Sequence, residues 1–564
     1  MAARRSRALL RALGRGSGAV GGGYVLGSAA LYAYDRDDFD ACLRLQRMAW
    51  LASRMLASYS WHMHVAAHPT EVAREESLRL CHERHAPQVR DLCFRNGGVY
   101  IKLGQLLGLM DHVIPFEYIE ALSGCFDSCP PSSTRDVDAV FAEEFGKSPL
   151  ELFESFEEGP IASASLAQVH RATLPGGRQV AVKVQHRPLL KTVRSEIAGI
   201  ELVLSLVRSL EPAFGFQWLV EEVKENLPKE LDFRLEAQNC ARCRTIMERA
   251  GLANAVVVPD TYSSFTTQRV LVMDFEEGQS LAATARDMCA EGVRPHAVVR
   301  RFSEAYAAMT FSEGFLHCDP HPGNVLWRRR KDAPGGFQLV LLDHGLYREL
   351  PQELRLSYCR LWRGIALADG EAVLQATREL GVRSEWLVQK LNEEGRDGLG
   401  RLASASAPAG SVGDPETNAG KMLAAMLVAK SFRAVADGDG GFLRFDKDFR
   451  GKNVADDRAE VARYISGYFR GILEVLDSLP RPMILVLKAN DCLRATASRF
   501  DVPPSVPLVV SCLACCKALR ASGDFAAGGG WRIRWLEFRC WFFLSLEGAV
   551  SSRLRGLRRA LAGA

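Results

Sequence analysis

The sequence predicts an α+β protein in which a small antiparallel sheet with helices against it is followed by a longer, mainly helical region. Two observations carry this prediction. Strand-like runs joined by Pro-Gly-Gly connections occur twice, at 165–185 and 325–342, and each pair has the form of a β-hairpin. The stretches 40–125, 191–250 and 421–520 instead repeat their apolar residues with helical periodicity.

Composition places the chain among ordinary globular proteins. It has 564 residues, of which 48% are hydrophobic and 24% charged, enough for two or more domains. The formal net charge of the chain is +4, and five arginines lie before residue 16. Without these five positive charges, the rest of the chain has a net charge close to zero. A neutral body provides no field for non-specific binding of nucleic acid, and that partner is excluded.

The first 34 residues have the features of a targeting segment. The opening MAARRSRALLRALGRGSG is rich in arginine and free of acidic residues, as organelle transit peptides are. The uncharged stretch 19–34 has 16 residues and four glycines, fewer residues than the roughly 20 that a bilayer core requires. This favours a linker to the folded domain and leaves a short membrane anchor as the alternative.

Fifteen cysteines are scattered along the chain. Cys240 and Cys243 form one CxxC pair, but it lies in a helical run and no second pair follows at the spacing of a zinc finger. Free thiols in a reducing compartment are the simplest interpretation.

Breaks in composition give the domain organisation. CPPSS at 129–133 ends the first helical region, so a new unit should begin near Thr134. The predicted order is a targeting segment or anchor at 1–34, a helical extension at 35–133, a sheet with a helical insert at 134–275, a helical domain at 276–520, and an amphipathic helix with a basic tail at 521–564.

The second hairpin makes a geometric prediction. The start of its first strand should lie beside the end of its second, which brings Asn324 and Asp343 together, and Asp319 precedes the same end. Two carboxylates and an amide are hard oxygen ligands that suit Mg²⁺ holding phosphates. The spacing D-x4-N followed by D-x-G is that of the substrate-orienting Asp and the two metal ligands of protein kinases.

Two other interpretations of this segment remain open. The residues His317, Cys318, Asp319 and His321 form a candidate transition-metal cluster, although Pro320 and Pro322 prevent the regular helix that would place both rings on one face. The segment is alternatively a purely structural turn.

A kinase-like site also needs a strand lysine for the nucleotide phosphates, and VAVKVQ supplies Lys183 between alternating valines. The loop expected to cover the phosphates lacks glycine, because its four central positions are Ala162, Ser163, Ala164 and Ser165. Alanine restricts φ and prevents the backbone from approaching the phosphates closely. The nucleotide should therefore bind more weakly or in a different orientation.

Together these motifs resemble the UbiB family of atypical protein-kinase-like proteins, the aarF-domain-containing kinases. The resemblance covers about residues 90–500 and is carried by the alanine-rich loop, KLGQ at 102–105, VAVKVQ, ELD at 230–232, HCDPHPGN and LLDHG. It implies a two-lobed kinase-like fold, with a small sheet-containing N-lobe, a helical C-lobe and an N-terminal helical K-x-G-Q extension that folds over the active site.

The K-x-G-Q element maps onto Lys102, Gly104 and Gln105. If this stretch is helical, Lys102 and Gln105 share a face and Gly104 permits close packing. The resemblance makes Glu230 and Asp232 the partners of Lys102. For the glutamate that pairs with Lys183, kinase spacing indicates Glu196 and the family's E-x-D-x3-E pattern indicates Glu236; we choose Glu236.

The resemblance also assigns the adenine-binding segment. It makes Met273 the gatekeeper and Asp274, Phe275 and Glu276 the hinge, which meets adenine through backbone hydrogen bonds. The chain departs from the family pattern at Ser163, where alanine is usual, and at His344, which replaces the common Phe of the D-F-G motif.

The C-terminal segment WRIRWLEFRCWFFLSL places Trp531, Trp535, Phe538 and Phe542 on one helical face with arginines around it. This face either packs into the core or lies on a membrane surface. The basic tail favours the membrane surface, because it carries Arg553, Arg555, Arg558 and Arg559.

The functional prediction is an atypical kinase or ATPase that binds Mg-ATP and transfers or hydrolyses the γ-phosphate. The resemblance implies a role in coenzyme Q or lipid metabolism, lipid or quinone-pathway intermediates as partners, and a place at the mitochondrial inner membrane, with a plastid as the alternative. Intact Lys183, Asp319, Asn324 and Asp343 argue against the competing class, a non-catalytic nucleotide-binding scaffold.

Overall fold

A computed structural model describes most of the chain between residues 36 and 545. The described residues are 36–66, 68, 70–108, 114–126, 131–187, 189–210, 217–282, 285–385, 415–428, 471–523 without 473 and 477, and 530–545. The targeting segment at 1–34, including the stretch 19–34, and the basic tail lie outside them. The chain divides into two compact units, Met1–Arg234 with Tyr262–Asp274, and Leu235–Thr261 with Phe275–Ala564.

The described parts of the stretches 40–125, 191–250 and 421–520, where apolar periodicity predicts helices, are mainly helical, and further helices lie outside those stretches. The helices of the described residues are α1 Arg36–Ser60, α2 Glu71–Asn96, α3 Gly98–Gly108, α4 Phe116–Leu122, α5 Thr134–Phe145, α6 Pro149–Leu152, α7 Leu189–Leu210, α8 Gln217–Glu230, α9 Phe233–Arg249, α10 Ala285–Ala290, α11 Pro295–Ala307, α12 Gln352–Leu367, α13 Gly370–Glu379, α14 Pro415–Val428, α15 Arg481–Arg499, α16 Ser505–Ala521 and α17 at 530–545.

The strands are short and of mixed length. They are β1 Ser155–Phe156, β2 Ala162–Ser163, β3 Ala167–Thr173, β4 Gln179–Gln185, β5 Val256–Val257, β6 Val270–Asp274, β7 Gln279–Ser280, β8 Phe315–His317, β9 Val325–Arg329, β10 Phe337–Leu341 and β11 Tyr347–Glu349.

The sheet of the first unit has the order β1-β3-β4-β6, with β2 also paired to β3. β3 and β4 form the predicted hairpin, whose turn places Gly176 and Gly177 at φ +105° and +83°, a region that glycine enters without steric cost. Val180, Val182 and Val184 of β4 are buried, whereas the alternate residues are not, apart from Gln185 at the strand end. Alternation in the sequence therefore sets which face of β4 meets the core.

A helix begins at the residue where the sequence predicts the start of a new unit. α5 begins at Thr134, and the Ser133 hydroxyl accepts a hydrogen bond from the backbone N–H of Asp136, which caps the helix. The residues before it form the helices α1 to α4, and α2 and α3 are separated by Gly97 at φ +69°.

The second unit contains the second predicted hairpin and most of the helices. β9 and β10 pair antiparallel from Arg329 opposite Phe337 to Val325 opposite Leu341, in a sheet of order β5-β10-β9-β7. A separate two-stranded sheet joins β8 to β11. Large buried side chains, among them Trp327, Trp362, Tyr358 and Phe302, fill one continuous hydrophobic core in this unit.

Two further sequence expectations concern cysteines and membranes. The cysteines of the described residues are free thiols, and Cys512, Cys515 and Cys516 are buried, as an apolar helix requires. Within the described part of the chain, no helix is both long and apolar enough to cross a bilayer.

Candidate active site

The strand lysine of the first unit lies in the middle of the sheet. Lys183 of β4 is opposite Val169 of β3 and Leu271 of β6. Its Nζ lies 5.1 Å from the centre of the Phe233 ring, within the range of a cation–π contact. The pairing on both sides fixes the strand, so the ammonium extends from a rigid base.

The alanine-rich loop is held by backbone hydrogen bonds between β2 and β3. The Ala164 N–H donates to the Ala167 carbonyl at 2.8 Å, and the Ala164 carbonyl accepts from Nε2 of His186 at 3.0 Å. Nδ1 of His186 then accepts from the Ser132 hydroxyl at 2.7 Å. His186 thus ties the loop to the chain just before α5, a role that the sequence analysis missed.

The K-x-G-Q element is confirmed as part of a helix, α3, and each of its three residues has a distinct contact. Lys102 Nζ pairs with a carboxylate oxygen of Glu230 at 2.5 Å. The Gln105 amide donates to the Cys125 carbonyl at 2.9 Å. A Cβ at Gly104 would lie 3.0 Å from the Cys93 sulfur and 3.1 Å from the Cys125 sulfur, so only glycine fits without displacement.

The two acidic residues of the E-x-D element have different partners. Glu230 pairs with Lys102, whereas both carboxylate oxygens of Asp232 accept from the guanidinium of Arg234, at 2.8 and 2.7 Å. The Arg234 hydrogen bonds lower the pKa of Asp232. Arg234 was not foreseen, although it stands only two residues beyond Asp232.

The two candidate glutamates also differ. Glu196 of α7 is buried and pairs with Arg44 of α1 at 2.8 Å, and its burial raises its pKa. Glu236 of α9, in the second unit, is 2% exposed and accepts a hydrogen bond from the backbone N–H of His344 at 3.4 Å. Glu196 is therefore committed to the helical extension, and Glu236 to the segment that follows Asp343.

The adenine-binding segment predicted at 273–276 contains an ordered pair of carboxylates. Met273 is buried in β6 opposite Ala181. Asp274 accepts two hydrogen bonds from Arg178, at 3.0 and 2.7 Å, and a third from the Tyr262 hydroxyl at 2.5 Å. In the second unit, Glu276 pairs with Arg328 of β9 at 2.6 Å. These side-chain contacts anchor Asp274 in the first unit and Glu276 in the second.

Asn324 and Asp343 lie at the same end of the β9–β10 hairpin, as predicted. The Leu342 N–H donates to the Asn324 carbonyl at 2.9 Å. This bond continues the hydrogen-bonding pattern between β9 and β10 by one residue beyond the last pair, Val325 and Leu341. The hydrogen bond places the residue before Asp343 directly beside Asn324.

His317 connects Asp319 to this pair. Its Nδ1 accepts the backbone N–H of Asp319 at 3.1 Å, and its Nε2 donates to the Asp343 carbonyl at 2.8 Å. This pattern requires the neutral ring with the proton on Nε2, and burial lowers the pKa of His317 accordingly. The ring therefore links the backbone at Asp319 to the backbone at Asp343.

The transition-metal alternative fits the structure poorly. Both ring nitrogens of His317 are used by the backbone, and Nδ1 of His321 accepts the N–H of Gly323 at 3.1 Å. Across the residues that the structure describes, no group of three or more His, Cys, Asp or Glu side chains is arranged to hold a metal ion. Asn324, Asp343 and Asp319 instead offer the mixed amide and carboxylate oxygens that suit Mg²⁺.

His344 and a lysine from a distant helix complete the surroundings. His344 is fully buried; its Nε2 donates to the Leu341 carbonyl at 3.1 Å, and its Nδ1 accepts from the Tyr347 hydroxyl at 2.9 Å. Lys488 of α15 places Nζ 3.7 Å from Oδ1 of Asp319. No local pattern in the sequence links residue 488 to this loop, and only a known structure reveals it.

Comparison with known proteins adds independent findings. A family model described as the ABC1 atypical kinase-like domain matches residues 124–377. AarF domain-containing protein kinase 1 of Gallus gallus is 35% identical over 435 residues, which cover 77% of this chain and 75% of that protein. The Mus musculus protein of the same name is 32% identical over 523 residues, covering 91% and 90%.

Solved structures were compared as well. A Mycobacterium tuberculosis protein in complex with erythromycin is similar over 65% of this chain and 94% of its own, with 23% identity and a TM-score of 0.39. The Rio2 kinase of Chaetomium thermophilum is similar over 45% of this chain and 74% of its own, with 11% identity and a TM-score of 0.21.

Proposed function

The chain belongs to the ABC1 atypical kinase-like, AarF-domain family, and on that premise we propose that it binds Mg-ATP and transfers or hydrolyses the γ-phosphate. Membership confirms the kinase-like α+β fold and the family resemblance drawn from the motifs. The activity, the metal, the acceptor and the location are our proposals.

One observation carries the proposed chemistry: the His317 ring ties the backbone of Asp319 to the carbonyl of Asp343, while the ladder step at Leu342 holds Asn324 beside them. Asn324 and Asp343 would hold Mg²⁺, which supplies positive charge to the β- and γ-phosphates when bound. Because their backbones are fixed by hydrogen bonds, these donors are already ordered for the ion.

We assign Asp319 to the acceptor. Its carboxylate accepts the proton of the acceptor hydroxyl or water as the new O–P bond forms. The bond between the γ-phosphorus and the bridging oxygen breaks, and ADP leaves with that electron pair. Water as the acceptor gives inorganic phosphate, and an alcohol gives a phosphate ester.

The remaining roles follow the family pattern. We assign Lys183 to the α- and β-phosphates and loop 162–165 to covering them, and by the family pattern Glu236 is the glutamate assigned to that lysine. Met273 is the gatekeeper, and the backbone of 274–276 meets adenine. The paired strand of Lys183 and the hydrogen-bonded loop support the assignments of Lys183 and of the loop.

The acceptor is a small molecule or water rather than a peptide. α3, which carries Lys102, Gly104 and Gln105, shares a hydrophobic cluster with Leu166, the residue directly after the alanine-rich loop. A helix packed beside the phosphate-covering loop would obstruct an extended chain. This packing supports a regulatory role for the K-x-G-Q element and for Glu230 and Asp232.

We place the protein at a membrane surface, in mitochondria, with lipids or quinone-pathway intermediates as partners. α17 buries Ile533, Leu536, Cys540, Phe543 and Leu544 and exposes its opposite aromatic face, defined by Trp531, Trp535, Phe538, Trp541 and Phe542. These five side chains are 45% to 67% exposed, and Arg532 and Arg534 flank them. Aromatic rings with an arginine border suit the interface of an anionic bilayer.

The activity is tested by measuring ADP release from ATP and Mg²⁺ by the full chain, with and without phosphatidylglycerol vesicles. We expect Asp343→Asn to reduce turnover by about 100-fold or more, because a metal ligand is lost. Asp332→Asn is the matched control, since Asp332 is an exposed residue in the turn of the same hairpin.

Fluorescent ATP binding, measured in parallel, separates the enzyme from a scaffold. Binding without ADP release or phosphorylated product in the wild type would support the non-catalytic scaffold. Equal ADP release by wild type and Asp343→Asn would contradict the assignment of the site.

A further inference from the structure

A lysine from the C-terminal half of the second unit lies beside the residue assigned to the acceptor. Lys488 is on α15, and its Nζ is 3.7 Å from Oδ1 of Asp319. The lysine side chain is 12% exposed and the aspartate side chain 25% exposed. Partial burial reduces screening by water, so this attraction is stronger than that of a surface pair.

α15 is docked directly on the loop that contains Asp319. One turn after Lys488, on the same face of the helix, the Cys492 thiol donates to the Pro320 carbonyl at 3.0 Å. The Asn490 amide donates to the Tyr358 hydroxyl at 2.8 Å, and both residues are buried. Two side chains in the turn that follows Lys488 are thus held, and the lysine is presented to Asp319 by an anchored helix.

The loop does not supply the same charge from its own histidines. His317 is neutral because Nδ1 accepts from Asp319 and Nε2 donates to Asp343. Nδ1 of His321 accepts the Gly323 N–H. Lys488 is the basic residue that forms an ion pair with the Asp319 carboxylate.

We propose that Lys488 is a positioning residue for phosphoryl transfer, which holds the Asp319 carboxylate in the orientation that accepts the proton of the acceptor. This rests on the proposed function. The ammonium lies near one oxygen, Oδ1, and its attraction would favour one orientation of the carboxylate. Misorientation of a reacting group by about 1 Å lowers rates about 100-fold.

The test compares Lys488→Met, Lys488→Arg and Asp319→Asn, alone and combined, in the full chain. Lys517→Met on α16 is the control, because Lys517 is an exposed lysine on a neighbouring helix. ADP release at saturating ATP, the Kd of fluorescent ATP and the melting temperature are measured for each variant.

We expect Lys488→Met to lower kcat at least about 10-fold with an unchanged Kd for ATP, and Lys488→Arg to restore most of the activity. In the Asp319→Asn background, Lys488→Met should have no further effect, because the lysine acts through the aspartate. A merely structural role predicts instead that the two losses multiply.

Two results overturn the proposal and are distinguishable. If the wild type releases ADP and Lys488→Met does so as fast as Lys517→Met, or if the losses multiply, the role of Lys488 is wrong and the proposed function stands. If the wild type binds ATP without any turnover, the proposed function is wrong and the role of Lys488 falls with it.

Discussion

Lys102 of α3 and Glu230 at the end of α8 form an ion pair of 2.5 Å in which the carboxylate is 8% exposed and the ammonium 22%. The pair joins the K-x-G-Q element to the E-x-D element within the first unit. Because the acidic partner is buried, removal of the lysine leaves a charge that water does not reach well.

The first prediction follows from this difference in exposure between the lysine and the glutamate. Lys102→Met should lower the free energy of unfolding by about 2–3 kcal/mol, and Glu230→Gln by less, because Lys102 has access to solvent. The double variant should lose less than the sum of the single losses, by at least about 1 kcal/mol.

Urea denaturation of the four proteins measures these values. Lys229→Met is the control: it breaks the exposed pair with Glu225 on the same helix and should change stability by less than about 0.5 kcal/mol. If the loss in free energy of unfolding of the double variant equals the sum of the two single losses, Lys102 and Glu230 have no interaction energy.

The second prediction concerns the close packing at Gly104. The Cβ of a valine at position 104 would lie 3.0 Å from the Cys93 sulfur, 3.1 Å from the Cys125 sulfur and 3.5 Å from a Leu122 methyl group. Gly104→Val should destabilise the protein by about 2–3 kcal/mol through overpacking, and Cys93→Ala in the same chain should restore part of the loss.

Thermal unfolding followed by circular dichroism measures this effect. Gly124→Ala is the control, since its new Cβ would meet only the Phe94 ring, at 3.9 Å. Equal melting temperatures for Gly104→Val and Gly124→Ala would contradict the packing argument.

The third prediction is a loss of stability in mild acid that depends on His170. This ring is buried, with Nδ1 donating to the Glu157 carbonyl at 2.8 Å and Nε2 accepting from the Gln168 amide at 2.9 Å. Burial lowers its pKa, so the folded protein keeps the ring neutral while the unfolded chain binds a proton near pH 6.5. Stability is therefore full above about pH 6.5 and falls as the pH drops below it.

His170→Gln should reduce that dependence, which for one histidine is at most about 1.4 kcal/mol per pH unit. Part of it should remain, since burial also lowers the pKa of His186. Urea unfolding between pH 7.5 and 5.5 is the measurement. An identical decline in wild type and variant would exclude His170 as a source.

The fourth prediction concerns the aromatic face of α17. Trp535→Glu with Phe538→Glu should weaken binding to vesicles of phosphatidylcholine and phosphatidylglycerol by at least about 10-fold, because apolar area is lost and negative charge is added. Both side chains are about half exposed, so the melting temperature should change little. Binding should also weaken with added salt through Arg532 and Arg534.

Vesicle co-sedimentation measures the binding. The control is Phe116→Glu, which changes an aromatic side chain that is 72% exposed on a different helix, α4. If Phe116→Glu weakens binding as much as the double change, the effect is one of net charge and the assigned face is wrong.

The elements of this fold are locally encoded. Each Pro-Gly-Gly connection forms a hairpin because its flanking runs alternate, and the antiparallel ladder then brings Asn324 next to Asp343 with no further information. Ser133 caps α5 through its own side chain. These predictions succeeded because the determining contacts lie within a few residues or across one hairpin.

The choice between alternatives was not locally encoded. Glu230 and Asp232 are equally acidic, but the carboxylate of Glu230 meets Lys102 and that of Asp232 meets Arg234. In α17, the helical periodicity of the aromatic residues does not decide whether their face is buried or exposed. The opposite face of the helix packs into the core, so the aromatic side chains are exposed to solvent.

Local sequence patterns were enough to predict the hairpins, many of the helices, the kinase-like order of Lys183, Asp319, Asn324 and Asp343, and the family. Three contacts became visible only in the folded chain: the ion pair of Glu230 with Lys102, the link that His317 makes between Asp319 and Asp343, and the position of Lys488 beside Asp319. Periodicity and turn chemistry act over a few residues, whereas the partner of a charged side chain depends on how distant helices pack.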